Sequence, residues 1–298
     1  VLAAEGRPII EMGSRRTHEQ SAVTSARATY IAGFDATSNM EASLRYGIPA
    51  SGTAAHAWTL LHVDEGGVPD EKAAFKAQIE AAGVGTTLLV DTFDITKGVE
   101  NALEVAGTEL GAVRIDSGDL GIMSRRVRAQ LDEAGAFNTR IIVSSDLDEF
   151  AIAGLRGDPV DGFGVGTSVV TGSGAPTAGL VYKLVEVEGH PVSKRSSGKH
   201  TYGGAKAAAR AYRASGVAVS EVIRPAGVEI ERKSNLDYRE LTVPMIRGGK
   251  PVDGPFDLTD ARELHREART TLPWEGLALS KGDAAIPTQF VGFPEPSE

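Results

Sequence analysis

Cysteine is absent from the 298 residues, which excludes disulfides, a thiolate nucleophile and any cysteine-ligated zinc or iron–sulfur centre. A cytoplasmic protein is the simplest expectation. No apolar run approaches the length of a membrane span, and residues 1–7 lack the basic start and apolar stretch of a secretory signal. An excess of basic charge is lacking too. The 31 Lys and Arg against 40 Asp and Glu leave a net charge of −9, which argues against nucleic-acid binding over the whole surface but leaves room for a local basic pocket. His-x-x-x-His spacing is missing, so no protein metal cage is expected. The glycine-rich segment at 162–167 is followed by no Gly-Lys-Thr, so it is not a P-loop. It does not open a helix as Gly-x-Gly-x-x-Gly, which weakens a dinucleotide-binding reading. There is also no initiator methionine. The chain enters directly into the strand-like Arg7-Pro-Ile-Ile-Glu11, and the expectation is that an N-terminal portion is missing.

The rest of the composition, 41% apolar, 24% charged and 14 prolines, describes a globular chain of one large or two small domains. Short apolar runs alternate with helical patterns. Strand cores are expected at 8–12, 48–50, 86–91, 112–116, 140–144 and 162–166. Helices are expected at 19–34, from His56 onward, and at 72–82, 95–110, 120–134 and 148–155. This rhythm is that of a parallel sheet or β/α barrel, whose active site lies at the carboxyl ends of the strands. The polar residues agree with that rule, because Asp91-Thr92, Asp116-Ser117, Ser144-Ser145-Asp146 and Gly166-Thr167 each follow an apolar core. Beyond Gly174 the pattern changes to strands at 180–188 and 191–196, a hairpin across Gly248-Gly249 and a helix over 258–271. The expected division is a barrel core at 1–178 and a C-terminal portion at 179–298 that completes the barrel and part of a second domain.

Gly47 to His62 deliver one histidine, His56, to the start of an apolar helical run. Free backbone N–H groups at such a start favour phosphoryl groups, although for the segment taken alone a capped helix with an incidental histidine is the favoured reading. In Val113-Arg-Ile-Asp116, alternation points Arg114 and Asp116 to one side of the strand. They suit either a substrate carboxylate and ribose hydroxyls or a structural ion pair. Gly162-Phe-Gly-Val-Gly-Thr167 offers bare N–H groups for a phosphate, and glycines also mark tight barrel turns. Arg15 and Arg16 follow the first strand, where they suit a diphosphate or form a solvated rim pair.

With these segments in place the sequence resembles the nicotinate phosphoribosyltransferase family. The likeness is carried by Glu11-Met-Gly-Ser-Arg-Arg16, Gly33-Phe-Asp-Ala-Thr-Ser-Asn39, Gly52-Thr-Ala-Ala-His56, Leu89-Val-Asp-Thr-Phe-Asp94, the 113–120 run, Phe163-Gly-Val-Gly-Thr167 and Val181-Tyr-Lys-Leu-Val185. Leu241-Thr-Val-Pro and Ala285-Ile-Pro-Thr288 extend it to the C-terminal part. The resemblance implies an irregular, incomplete β/α barrel with part of an α/β sandwich domain whose N-terminal segment is missing. It implies synthesis of nicotinate mononucleotide and diphosphate from nicotinate and 5-phosphoribosyl 1-diphosphate, coupled to ATP hydrolysis through a phosphohistidine at His56. Thr53 and Arg114 would then contact nicotinate, Arg15 the pyridine ring and Asp116 the ribose. Asp91 and Arg16 would join the substrate site, and Ser144, Ser145, Gly166 and Thr167 the phosphate site. Mg²⁺ would be held mainly by substrate diphosphate, with no protein ligand named. A homodimer with shared active sites, no nucleic acid and no membrane complete the expectation. Nicotinamide phosphoribosyltransferase, or a truncated non-catalytic nucleotide-binding relative, is the alternative.

Overall fold

Short apolar strands in a parallel sheet must be covered, and here the helices that follow the strands cover the outer face of the curled sheet. A computed structural model describes residues 1–175, 177, 179–196, 199–252 and 257–293. They form two compact units, Val1–Thr177 and Ala178–Glu298.

The first unit runs β1 (Ile9–Glu11), α1 (Glu19–Ile31), β2 (Ala36–Thr37), α2 (Met40–Tyr46), α3 (His56–Leu61), α4 (Glu71–Ala82), β3 (Thr87–Leu89), α5 (Ile95–Ala106), β4 (Ala112–Ile115), α6 (Leu120–Glu133), β5 (Arg140–Val143), α7 (Glu149–Gly154), β6 (Gly162–Val165) and α8 (Thr167–Val170). All pairings are parallel, in the order β2-β1-β6-β5-β4-β3, and Thr37 bridges onward to Ala50. The cyclic sequence is therefore β1, β2, the Ala50 stave, β3, β4, β5, β6 and back to β1, open only between Ala50 and β3. This is the connectivity of a barrel with one unpaired seam. At about 4.8 Å per strand, a flat sheet would hold Ala50 about 24 Å from β4. Yet Thr53, three residues and at most about 10 Å of chain beyond Ala50, receives a 2.7 Å hydrogen bond from Arg114 of β4. The sheet is curled into a parallel half-barrel.

Several helix starts are fixed by side-chain caps, although α3 and α8 have none. Asn39, Asp70, Asp94, Asp119 and Asp148 each accept a hydrogen bond from a backbone N–H in the first turn of the helix that follows. Each cap ends a loop that began at a strand end or a turn, so the polar strand ends stay in short loops at one rim. Gly98 shows how close the layers are, since a Cβ there would lie 2.1 Å from the Val90 carbonyl oxygen. Sequence reading places most of these elements. It misses β2, α2 and α8, and the 48–50 strand shrinks to the bridge at Ala50.

The second unit holds small hairpins, β7 (Glu186–Val187) with β8 (His190–Pro191) and β9 (Arg195–Ser196) with β10 (Lys199–His200). Its main sheet joins β11 (Lys206–Arg213), β12 (Ala218–Pro225) and β13 (Leu236–Glu240), followed in sequence by the hairpin of β14 (Ile246–Arg247) and β15 (Lys250–Pro251). Helix α9 (Leu258–Thr270) and β16 (Thr288–Phe290) complete the unit. The order β13-β11-β12-β16 is antiparallel except for the β12–β16 pair. The turn at Gly248-Gly249 and the helix from Leu258 fall where the sequence puts them. The long strand expected over 180–188 is confined to Glu186–Val187, the strand expected over 191–196 is split between β8 and β9, and β10, β11, β12, β13 and β16 were not anticipated.

One buried acid lies between α4 and α5. Glu71 accepts a 2.9 Å hydrogen bond from Asn101 Nδ2, while Glu71 Oε1 and Asn101 Oδ1 are buried without partners. Burial, reinforced by the charges of Asp91 and Asp94 and opposed by the Asn101 bond, raises the Glu71 pKa above its ordinary 4.5. A raised folded-state pKa contributes stability that is full below the ordinary value and is lost as pH rises through the raised one. Glu71→Gln, whose amide can pair with both Asn101 groups, should therefore raise the stability at pH 7.5 by about 1 kcal/mol and give no gain below about pH 4. Urea unfolding at the two pH values checks this.

Candidate active site

The strand ends of the half-barrel converge on a polar cleft of about 210 Å³, whose walls include Arg15, Arg16, Arg114, Asp116, Ser145 and Thr167. Arg114 lies within β4, and its partners account for three of its five N–H donors. Nε donates to Ser144 Oγ at 2.8 Å, Nη1 to Thr53 Oγ1 at 2.7 Å, and Nη2 lies 3.1 Å from Asp116 Oδ1. That leaves two N–H groups for a ligand. The Ser144 hydroxyl donates in turn to Asp116 Oδ1, so this serine braces the Arg114–Asp116 pair and is no longer an open phosphate donor. Same-face alternation on β4 is thus realised as direct contact.

A second carboxylate lies one strand over. The Asp91 side chain is fully buried at the end of β3, where Oδ2 accepts from the Asp116 backbone N–H at 2.8 Å and the Ser117 hydroxyl at 2.6 Å. Its Oδ1 is buried with no hydrogen-bond partner. His56, the first residue of α3, faces both acids, with Nε2 3.9 Å from Asp91 Oδ1 and 3.9 Å from Asp116 Oδ2. Its Nδ1 lies 3.1 Å from Thr92 Oγ1, and the Thr92 hydroxyl is 3.4 Å from Thr59 Oγ1. If that hydroxyl donates to Thr59, it accepts Nδ1–H and leaves Nε2 as the bare nitrogen. The imidazole is 43% exposed, open enough for a ligand to reach.

Across the cleft, Ser145 has φ 106° and Asp146 φ 44°. Two successive non-glycine residues with positive φ cost about 1–3 kcal/mol each and persist only where the surroundings over-determine them. The bend turns the chain sharply after β5 and brings Asp146 Oδ1 to 3.1 Å from Thr167 Oγ1. Gly166 and Thr167 open α8 opposite, and a Cβ at Gly166 would lie 2.9 Å from the Met12 carbonyl oxygen. All eleven residues singled out from sequence thus fall on one rim or contact one that does. Thr59, which meets the Thr92 hydroxyl, and Glu11, buried beneath the Arg15–Arg16 turn, were not singled out, and Thr92 was named only as a polar strand end. Their only signal was position, a hydroxyl or carboxylate at the edge of an apolar run. Among the described residues no group of three or more His, Cys, Asp or Glu side chains is arranged to hold a metal ion by itself. No helix among them is long and apolar enough to cross a membrane.

A profile of the nicotinate phosphoribosyltransferase (NAPRTase) family matches residues 8–214. Nicotinate phosphoribosyltransferase pncB1 of Mycobacterium tuberculosis is 58% identical over 296 residues, which cover 98% of this chain and 65% of that protein. Nicotinate phosphoribosyltransferase of Bacillus subtilis is 43% identical over 189 residues, 60% of this chain and 37% of that protein. The chain thus spans about two thirds or less of the length of these relatives. Among solved structures, nicotinate-nucleotide pyrophosphorylase from Pyrococcus furiosus superposes with a TM-score of 0.77 at 30% identity, over 91% of this chain and 67% of that one. Human nicotinic acid phosphoribosyltransferase shares the fold with a TM-score of 0.75 at 23% identity, over 98% and 70%.

The Arg114 bracket has a measurable weight. Removing one member of a largely buried ion pair leaves the other charge uncompensated, so Arg114→Met should destabilise the fold by about 3 kcal/mol. Breaking the exposed Glu41–Arg45 pair with Arg45→Met should leave the urea midpoint unchanged. Equal midpoints for the two variants would show that the bracket contributes nothing to the fold.

Proposed function

The chain belongs to the nicotinate phosphoribosyltransferase family, and from that premise we propose that it forms nicotinate mononucleotide and diphosphate from nicotinate and 5-phosphoribosyl 1-diphosphate, with ATP hydrolysis coupled through His56. The observation that carries the reading is His56 itself, an accessible imidazole with Nε2 turned to two carboxylates beside an arginine-lined cleft.

In this reading Thr92 holds the Nδ1 proton, and Nε2 attacks the γ-phosphorus of ATP. The bond to the β,γ-bridging oxygen breaks and ADP leaves. Asp91 and Asp116 would repel the incoming phosphoryl oxygens unless a cation neutralises them. The unpartnered buried Asp91 Oδ1 next to Asp116 fits such a cation, since Mg²⁺ takes one or two carboxylates and completes its shell with phosphate oxygens and water. Asp91 and Asp116 are the residues that would hold it, and its chemistry there is neutralisation of phosphate and diphosphate charge.

For glycosyl transfer, the two unspent Arg114 N–H groups and Thr53 receive the nicotinate carboxylate, while Arg15 lies against the ring. The ring nitrogen attacks ribose C1, the C1–oxygen bond breaks and diphosphate leaves. Asp116 beside the ribose stabilises the oxocarbenium character at C1. Arg16 faces the diphosphate, and Ser145, Gly166 and Thr167 take the 5-phosphate at the start of α8. Hydrolysis of the phosphohistidine returns His56 and disfavours reversal. A homodimer with shared sites is supported by Met40 and Leu44, apolar residues that α2 leaves exposed near the rim.

His56→Ala should abolish ATP coupling and leave slow, ATP-independent transfer. Label from γ-³²P-ATP should appear on the wild-type protein and be absent from the variant. Labelling of His56→Ala at the wild-type level would overturn the assignment.

A further inference from the structure

Glu11 is the last residue of β1, between β2 and β6, and its side chain is completely buried. Among the described residues no lysine or arginine forms an ion pair with it. A buried carboxylate without a counter-charge costs several kcal/mol even after relaxation, so an apolar residue would serve the fold better at this point.

The hydrogen bonds around it show what the carboxylate holds. Oε1 accepts the Gly13 N–H at 2.6 Å, and Oε2 accepts the Thr37 hydroxyl at 2.6 Å. With its only proton committed to Glu11, Thr37 Oγ1 accepts the Asn39 N–H at 3.0 Å. Asn39 Nδ2 donates to Ser14 Oγ at 2.9 Å, which closes a ring from Glu11 through Thr37, Asn39 and Ser14 back to Gly13. Each donor in the ring has one acceptor, and only a carboxylate can accept on both sides. Gly13 is locked from the other direction, because a Cβ there would lie 2.1 Å from Val170 Cγ1 and 3.0 Å from the Gly166 carbonyl oxygen. The turn pinned in this way, Ser14–Arg16, carries two of the three arginines that line the cleft.

We propose that Glu11 is a positioning residue, whose buried carboxylate fixes the Ser14–Arg16 turn so that Arg16 meets the diphosphate of the phosphoribosyl donor with Arg15 held beside it. The inference rests on the function proposed above and adds to it the group that sets the arginines in place. Glu11 touches no substrate, and it acts through the turn.

The test is calorimetric binding of inorganic diphosphate with magnesium to the full-length protein, together with KM for 5-phosphoribosyl 1-diphosphate and kcat. Glu11→Gln and Thr37→Val should each weaken diphosphate binding about tenfold and raise KM in proportion, with kcat little changed. Thr37→Ser, which keeps the hydroxyl, should bind as the wild type does. In an Arg15→Ala, Arg16→Ala background Glu11→Gln should cause no further loss, because the arginines through which it acts are gone. Should Glu11→Gln fail to fold, Ser14→Ala opens the ring at its solvent side and should weaken binding in the same direction, again only while the arginines are present. Unchanged affinity in the variants, or an equal loss in both backgrounds, overturns the positioning role. A wild-type protein that binds no diphosphate would instead overturn the proposed function on which the role rests.

Discussion

The pairing of β6 with β1 is the interaction on which the first unit depends. It sets Ile9 against Phe163 and Glu11 against Val165, residues 154 apart in sequence in each case. Without it the strands from β3 to β6 would end in an open edge, and the turn after β1 would have no fixed relation to the loop after β6. With it, Arg15 and Arg16 face Gly166 and Thr167 across one cleft. The curl then follows from the remaining parallel pairs, and the Arg114–Thr53 bond spans the single unpaired seam. The geometry of the cleft is a consequence of closure, since its lining residues come from the ends of β1, β4, β5 and β6 and no two neighbouring loops suffice.

Much of this was legible because parallel strands buried on both faces read as short apolar runs, and the first polar residue after each run is the rim. Residues 86–91, 112–116, 140–144 and 162–166 show that signal without ambiguity. Ala36–Thr37 does not, since two residues carry no period and the strand exists only because β1 and the Ala50 bridge lie on either side of it. In β11, Lys206–Arg213 has four alanines and is as suited to helix as to strand. Pairing on both sides, with β12 and β13, decides the matter. The partner of His56 was hidden for a related reason. Thr92 is 36 residues away, and nothing local to its hydroxyl connects it with the imidazole.

The unit tolerates several costly features, and their distribution is informative. Asp91 keeps a buried oxygen without a partner, Ser145 and Asp146 hold positive φ, and Glu11 buries a carboxylate. All three lie at strand ends on the rim, while the strand interiors, with Leu88, Val113, Ile141 and Phe163, are apolar and close-packed. Unpartnered buried atoms also lie away from the rim, at Arg7, Asn101 and Gln130. Each of the three features at the rim fixes a group at the cleft, Asp91 facing His56, Asp146 meeting Thr167 and Glu11 holding the arginine turn.

Glu71 sharpens the point by contrast. It too is a buried acid with an unpaired oxygen, but it lies between α4 and α5, outside the ring of strand ends, and its burial raises its pKa. The two acids separate by what surrounds them. Glu71 keeps one oxygen without a partner beside a single amide, whereas each Glu11 oxygen accepts a hydrogen bond, Oε1 from the Gly13 N–H and Oε2 from the Thr37 hydroxyl, and the turn above it takes its shape from both.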